Sequence, residues 1–253
     1  MRSFDIGWLF PDTLFLHGDR GNVLALARYA QALGFDHEIS KIDFETKDLK
    51  LSEHDVLFAA PGEISVFPAV RDFLMPHKEE LEQYIEAGHP LIVTGTSIGL
   101  FCEKIIRADG TELDGLGILH AAMFERDYVY GDDIYYKCTY NGKEMEVIGS
   151  IISMADLDLE DEKPFGELLY GYGNTGKDKG EGIAKANAVF TNALGPVLVT
   201  NPWLTVEIIK AAAAASGKEV ADKPVDFTLE EKSFELKKKF ELTKQTTLTN
   251  VQR

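Results

Sequence analysis

One short apolar run that ends in a glycine-containing turn constrains the fold of this chain more than any other feature. Residues 90–94 (Pro-Leu-Ile-Val-Thr) carry no charge and lead directly into residues 95–99 (Gly-Thr-Ser-Ile-Gly). The run predicts a buried strand, and the glycines predict a tight turn into a helix. Residues 55–60 predict a second buried strand, which ends at Pro61-Gly62. We therefore expect an α/β domain whose functional site lies where neighbouring parallel strands end.

Further elements are predicted from apolar periodicity and from turn residues. The expected helices cover residues 23–33, 78–86, 203–215 and 229–242, the last as a charged surface helix with a frayed tail. Asn22 is the expected N-cap of the first helix, and Gly34 is expected to end it. The glycine-rich second half predicts short antiparallel strands and turns at residues 115–119, 128–131, 134–136 and 147–152, and residues 188–190 and 196–199 predict another strand and turn.

The charge balance excludes two classes of partner. The chain of 253 residues has 42 acidic and 26 basic side chains, which gives a formal net charge of −16. Nucleic acids and anionic membranes are bound through clustered Lys and Arg, so we expect neither as the main partner. The two cysteines, Cys102 and Cys138, predict no disulfide framework. Because no signal peptide and no apolar run of roughly 18 residues is found, we expect a cytoplasmic protein without a membrane span.

Two short glycine patterns match known site motifs but favour simpler interpretations. Residues 95–99 match the Gly-x-Ser-x-Gly nucleophile elbow around Ser97. A serine hydrolase of that type needs a late histidine, and the only histidine after Ser97 is His120, which is too close along the chain. Residues 171–176 (Gly-Tyr-Gly-Asn-Thr-Gly) match a dinucleotide-binding pattern in letters alone, and the polar residues that follow predict a turn.

No metal site is predicted. His17 and Asp19 are two residues without a partner pair, so turn and capping roles are favoured. The acidic residues between 156 and 162 predict a solvated loop. Cys102 is expected to be a small buried apolar residue rather than a reactive thiol.

Three longer segments resemble one known family. These are residues 16–26, residues 108–119, and residues 170–174 together with Glu181-Gly182. In order and spacing they resemble the GatD glutaminase subunits of lipid II isoglutaminyl synthase, which are CobB/CobQ-like class I glutamine amidotransferases. The resemblance implies a flavodoxin-like class I glutamine amidotransferase fold, a mostly parallel sheet flanked by helices, over residues 1–220. Residues 221–253 would form a charged C-terminal helix and tail.

The resemblance also implies where a catalytic site would lie. A cysteine nucleophile at the strand-to-helix turn and a late histidine base are expected in the family, and here Thr94 and Leu194 stand at those positions. A threonine hydroxyl attacks only when a base takes its proton, and leucine cannot do so. Gly62 and Gly95 stand at the oxyanion-turn positions, where Pro61 removes one backbone N–H donor.

These substitutions predict a degenerate amidotransferase subunit. The family's His-Gly-Gly-Arg substrate segment falls near residues 150–154 (Ser-Ile-Ile-Ser-Met), so glutamine binding is in doubt. We expect a pseudo-glutaminase linked to peptidoglycan precursor (lipid II) amidation, or a scaffold. A Mur-ligase-like (MurT-type) subunit is the implied partner, and no cofactor or metal is implied. Two alternatives stay open: an active glutamine-hydrolysing subunit with chemistry rebuilt from Thr94, Ser97 or a partner residue, and a non-catalytic small-molecule-binding or regulatory module.

Overall fold

A computed structural model describes residues 2–221 and 223–251, with side chains described for residues 3–221 and 223–244. The strands are β1 (Arg2–Leu9), β2 (Phe35–Ile42), β3 (Val56–Ala59), β4 (Leu91–Thr94), β5 (Lys104–Ile106), β6 (Glu112–Asp114), β7 (Ala122–Tyr140), β8 (Lys143–Asp158), β9 (Gly166–Tyr170), β10 (Gly180–Glu181), β11 (Ile183–Lys185) and β12 (Ala188–Thr191). The α-helices are α1 (Gly21–Ala32), α2 (Phe67–Leu74), α3 (Lys78–Glu86), α4 (Ile98–Phe101), α5 (Val197–Thr200), α6 (Pro202–Ala215) and α7 (Thr228–Val251).

The first sheet is the layered α/β core that the apolar runs predict. Its strand order is β11-β12-β4-β3-β1-β2, and every pairing is parallel except that of β11 with β12. All residues of β3, β4 and β12 are buried, because one apolar cluster with α1 and α6 covers one face and another with α2 and α3 covers the other. Covered faces on both sides are what a parallel sheet requires.

The second sheet is antiparallel in its main part, as the sequence predicts, but its strands are longer. The β7–β8 hairpin turns at Asn141-Gly142 and carries the ladder from Ala122 to Asp158, with an irregularity between Glu125 and Tyr130. The strand order is β10-β9-β7-β5-β6, with β8 on the other edge of β7. Glycines inside β7 and β8 do not end the strands because the cross-strand hydrogen bonds continue through them.

Four local predictions are wrong. Asn22 lies inside α1 and does not cap it; its Oδ1 accepts a hydrogen bond from the backbone N–H of Leu198, at the first turn of α5. Residues 196–199 were expected as strand and turn, but Pro196 is the N-cap of α5 and residues 197–199 belong to that helix. Residues 115–119 form no strand, because their N–H groups bond to the carbonyls of residues 100–103. The acidic residues between 156 and 162 were expected in a loop, but β8 extends through Asp158, so only the later ones lie outside a strand.

The carboxyl-terminal part is helical, as predicted. The helix α7 begins at Thr228 and packs against β7, β8 and β9. Within the described part of the chain, no helix combines the length and the apolar character that crossing a bilayer requires.

Candidate functional site

Four loops meet at the carboxyl edge of the first sheet. They follow β1, β3, β4 and β12. In the strand order, β2 lies on one side of β1, and β3, β4 and β12 lie on the other, so the order reverses between β1 and β3. Ligands of open α/β sheets bind at such a switch point, outside the carboxyl ends of the strands. The loops bring together Asp19, Pro61, Gly95 and Leu194, which are far apart in sequence.

Thr94, the last residue of β4, is tied to a buried carboxylate. Its Oγ1 donates a hydrogen bond of 2.6 Å to Oδ2 of Asp19, and the carbonyl of Ala59 lies 3.5 Å away. Both Thr94 and Asp19 have no exposed surface. The backbone N–H of Gly195 donates to the other oxygen of Asp19 at 3.3 Å. The threonine hydroxyl is therefore held as a donor and does not point into open space.

Burial dominates the electrostatics of Asp19. Removal from water raises the pKa of Asp19 to about 6, and the hydrogen bonds from Thr94 and Gly195 act in the opposite direction. No cation pairs with this carboxyl group among the described residues. Asp19 is the site residue that sequence reasoning assigned to a turn; its position inside the segment of residues 16–26 was the available signal.

Leu194 fills the space over the turn. Its Cδ2 lies 3.2 Å from the position that a Cβ on Gly95 would take, and Pro61 packs at 3.1 Å from the same point. Its backbone pairs with Ser150 through two hydrogen bonds of 2.7 and 3.0 Å, so the side chain is fixed by the neighbouring β8. Leu194 is 1% exposed.

The remaining cavity is very small. It is about 10 Å³ and is lined by Gly95, Thr96, Met123, Ile152, Ser153, Ala155 and Asn192. A space of this size holds about one water molecule. The candidate site is therefore closed in this conformation, and a glutamine side chain has no room beside Thr94.

The turn residues after Thr94 have structural partners. Ser97 is fully buried and its Oγ donates to the carbonyl of Ala60 at 2.7 Å. Thr96 Oγ1 donates to the carbonyl of Gly62 at 2.6 Å. Both bonds tie this turn to the one after β3, so neither hydroxyl is placed as a nucleophile with a base.

A second buried acid lies one strand away. Glu181 has no exposed surface, and its Oε1 accepts hydrogen bonds from Thr191 Oγ1 at 3.0 Å and from the backbone N–H of Asn192 at 2.7 Å. Thr191 is the register partner of Thr94 on β4. Burial raises the pKa of Glu181 to about 7, and its Oε2 has no hydrogen-bond partner among the described residues.

Asn174 links Gly182, the residue after Glu181, to Asn192, the residue after β12. Its side-chain amide donates to the carbonyl of Gly182 at 3.0 Å and accepts from the N–H of Gly182 at 2.8 Å. Its Oδ1 also accepts from Asn192 Nδ2 at 2.9 Å. Residues 171–176 therefore form a turn, as the sequence predicts, with a positioning role that the letter pattern did not indicate.

The other candidate residues lie apart from this cluster. His17 is exposed, so it does not join Asp19 in a metal site. Cys102 is fully buried, its Sγ donates to the carbonyl of Ile98, and burial raises the pKa of the thiol well above its usual range. Glu103, His120 and Glu160 offer ligand atoms within 4.8 Å of one another, but all three are exposed and none is held in place by a buried partner.

Replacing Thr94 by valine is expected to destabilise the fold by about 2 kcal/mol, because a buried Asp19 oxygen loses its donor. Thr94→Ser keeps the hydroxyl and is expected to cost about 1 kcal/mol, for one lost methyl group. Urea unfolding of the two variants measures the difference. An equal loss in both would mean that the bond to Asp19 contributes nothing.

The fold defined by this sheet order and its two helical layers is the flavodoxin-like α/β fold of class I glutamine amidotransferases. The PurLQS structure from Thermotoga maritima covers 85% of this chain and 97% of its own, with a TM-score of 0.53 and 14% identity. No protein-family model matches the chain.

Two curated proteins are similar to it in sequence. The glutamine-hydrolyzing lipid II isoglutaminyl synthase subunit GatD of Staphylococcus aureus is 28% identical over 229 residues, which is 89% of this chain and 91% of the relative. The GatD subunit of Streptococcus pneumoniae is 25% identical over 216 residues, covering 83% and 80%. The chain is therefore GatD-like in sequence over nearly its full length.

Proposed function

We propose that this chain is a GatD-like subunit of lipid II amidation that does not hydrolyse glutamine. It would act with a Mur-ligase-like (MurT-type) chain as a non-catalytic or scaffolding subunit. The amidotransferase fold and the similarity to two GatD subunits support the general role. The closed site supports the loss of hydrolysis.

The single observation that carries the proposal is the pairing of Thr94 with Asp19 beneath Leu194. Amide hydrolysis needs a nucleophile in contact with the substrate carbon, a base that accepts its proton and then protonates ammonia, and donors for the oxyanion. Thr94 has no exposed surface, Leu194 offers no proton acceptor, and the cavity between the turn at Gly95-Thr96 and β8 is about 10 Å³.

An ammonia-release assay tests the proposal. Purified wild-type chain, alone and with the ligase-like chain of the same source, is expected to release no more ammonia from glutamine than Thr94→Ala does. An active glutaminase assayed under the same conditions is the positive control. Release at ordinary enzymatic rates that Thr94→Ala abolishes would refute the proposal.

A second candidate is an active glutaminase in which Asp19 serves as base for Thr94. The 2.6 Å hydrogen bond favours it, because it joins a hydroxyl to a carboxylate whose pKa burial raises to about 6. This function requires Leu194 and residues 152–155 to move away from the turn. Asp19→Asn distinguishes it: the variant can still hydrogen-bond Thr94 but cannot take its proton, so it would abolish any ammonia release.

A further inference from the structure

One side of α7 carries charged residues and is nevertheless at least partly buried. Glu230, Phe234, Lys237, Glu241 and Lys244 recur at spacings of four and three residues, and four of these five are charged. At about 100° per residue they lie within an arc of about 80°. Each of them is partly or fully buried, and α7 contacts β7, β8 and β9. Because a surface helix ordinarily buries an apolar side, the charges on this side need an explanation.

The first half of α7 is held by contacts that do not change near neutral pH. Phe234 packs edge-on against Trp203, with ring centroids 4.9 Å apart. Lys238 Nζ lies 2.5 Å from the carboxylate of Glu146 on β8. Burial acts to raise the pKa of Glu146, but the hydrogen bond from Lys238 outweighs it, so the pKa lies below its ordinary value. Both members of this ion pair are therefore charged at neutral pH.

The second half is held by a cluster in which acids outnumber bases. Lys244 Nζ lies 2.6 Å from Asp133 and 3.0 Å from Asp132, both on β7. Lys237 Nζ lies 3.3 Å from the other oxygen of Asp133. Glu241 is the third carboxyl group of this cluster, so three acids share two ammonium groups. If every group were ionised, one negative charge would be left without a counter-charge.

Glu241 is the member of the cluster that lacks a partner when it is ionised. It has no exposed surface, and neither of its carboxyl oxygens receives a hydrogen bond from a donor of the described residues. An ionised carboxylate in such a position is costly, because nothing replaces its lost hydration. Asp133 lies within hydrogen-bond reach of Glu241, and two carboxyl groups this close do not readily ionise together. A proton on Glu241 removes the excess charge and supplies a hydrogen bond that Asp133 accepts.

The direction of the pKa of Glu241 agrees with this geometry. Burial, the hydrogen bond with Asp133 and the charge of Asp133 raise the pKa of Glu241 from 4.5 to about 7, while Lys244 and Lys237 act in the opposite direction. In water the group would titrate near its ordinary value, so the docked helix binds the proton more tightly than a released one does. Docking is therefore favoured at low pH, and this contribution is lost as the pH rises through about 7.

The neighbours of Glu241 keep their charge over this pH range. The titratable groups around it are Asp132 and Asp133 on β7, Tyr170 on β9, Glu146 with its partner Lys238 next to β8, and Lys237 and Lys244 on α7. Burial acts to raise the pKa of both aspartates, but hydrogen bonds outweigh it and lower them, from Tyr170 and Lys244 to Asp132 and from Lys244 and Glu241 to Asp133. Burial raises the pKa of Tyr170, which stays neutral.

The end of α7 has little helical stability of its own. Residues 243, 246, 247 and 249 are threonines, whose β-branched side chains lower helix propensity. A short helical segment without tertiary contacts is only marginally stable in water. The contacts of Glu241 and Lys244 with the second sheet are therefore what keeps this end ordered.

We propose that Glu241 and Asp133 form a proton-operated latch: the part of α7 after Lys239 stays on the second sheet while Glu241 is protonated and leaves it when Glu241 ionises. The first half of the helix stays docked through Phe234 and Lys238. Release uncovers the ring of Tyr170, whose centroid lies 5.5 Å from Lys244 Nζ. Neither glutamine nor a second chain takes part, so the latch operates whether or not the chain hydrolyses glutamine.

Hydrogen–deuterium exchange of the full-length chain at pH 6 and pH 8 tests the latch. Exchange at residues 239–244, corrected for the intrinsic pH dependence of amide exchange, measures the opening equilibrium of this segment. With a carboxyl pKa of about 7 when docked and 4.5 when released, the opening constant of wild type is expected to rise about 10-fold from pH 6 to pH 8. Residues 231–236, in the half held by Phe234 and Lys238, are expected to show no such rise.

Three variants separate the latch from a purely structural contact. Glu241→Gln still donates a hydrogen bond to Asp133 but has no proton to lose, so its opening constant should be equal at the two pH values within about 2-fold. Glu235→Gln makes the same change at an exposed position of α7 and is the matched control, which should keep the wild-type rise. Asp133→Asn removes the charge that faces Glu241, so Glu241 ionises at lower pH and the rise should fall below about 3-fold.

The latch is overturned if the rise in wild type and in Glu241→Gln is the same, or if the rise extends equally over both halves of α7. Circular dichroism shows whether each variant is folded. Should Glu241→Gln not fold, Asp133→Asn decides, because an unchanged 10-fold rise in that variant excludes a proton shared with Asp133. Ammonia release from glutamine would refute the proposed function and leave every one of these outcomes unchanged.

Discussion

Gly182→Ala is expected to destabilise the fold by more than about 4 kcal/mol, which is exceptional for a single substitution. Gly182 connects β10 to β11 with φ of +60°, and a Cβ there would lie 2.2 Å from the carbonyl oxygen of Phe190. That oxygen belongs to β12, which is buried throughout, so the strand cannot give way. A backbone shift that relieved this clash would strain the two hydrogen bonds that Asn174 makes with the backbone of residue 182.

Gly110→Ala is the matched control for this change. Gly110 has φ of +84°, yet nothing lies within 4 Å of its added Cβ, so only the backbone cost of about 1 kcal/mol is expected. Urea unfolding and the soluble yield of both variants measure the effect. Similar losses in both would show that the contact with Phe190 is relieved by a small shift.

Glu181→Gln is expected to remove a large part of the pH dependence of stability. Burial raises the pKa of Glu181 from 4.5 to about 7 in the folded chain. A raised carboxyl pKa means that the folded state binds the proton more tightly, so its contribution is fully present below about 4.5 and is lost as the pH rises through about 7. At 1.36 kcal/mol per pKa unit, wild type should lose about 3 kcal/mol from this group between pH 4.5 and pH 8.

The measurement is the free energy of unfolding at several pH values between 4.5 and 8. The variant keeps an acceptor for Thr191 and Asn192 but carries no titrating proton, so its curve should be flatter than that of wild type. Glu167→Gln, at an exposed carboxylate on β9, is the control and should leave the slope unchanged. Asp19 and Glu241, whose pKa values burial also raises, contribute in the same direction in every variant. Parallel curves for wild type and Glu181→Gln would contradict a protonated glutamate at neutral pH.

The fold was largely readable in the sequence because its elements carry local signals. Residues 91–94 predict a buried strand because every side chain is apolar or small. Residues 78–86 predict a helix that ends before Gly88. The β7–β8 hairpin was predicted as shorter strands, one of which ended at Gly131, whereas cross-strand hydrogen bonds carry the ladder through Gly131 and Gly149. Asn22 was misread for a related reason: its hydrogen-bond partner, Leu198, lies far along the chain.

The sequence predicted only some of the residues of the candidate site. The positions of Thr94 and Leu194 follow from the resemblance, and the correspondence with the family's catalytic residues stays a prediction. Asp19 and Glu181 lie in segments that carry the resemblance, but the sequence did not mark them as site residues, because a carboxyl group becomes unusual only when the fold buries it. Their partners, Thr94 and Thr191, come from other strands that the sheet brings alongside.

The sequence by itself determined the layered α/β class and which residue types are present at the strand-to-helix turn, since both depend on neighbours within a few positions. The tertiary structure alone decided that Leu194 closes the space over Gly95, that Asp19 holds Thr94, and that α7 turns its leucines outward. Each of these depends on contacts between segments separated by tens to more than a hundred residues, and only the packing of strands and helices fixes those distances.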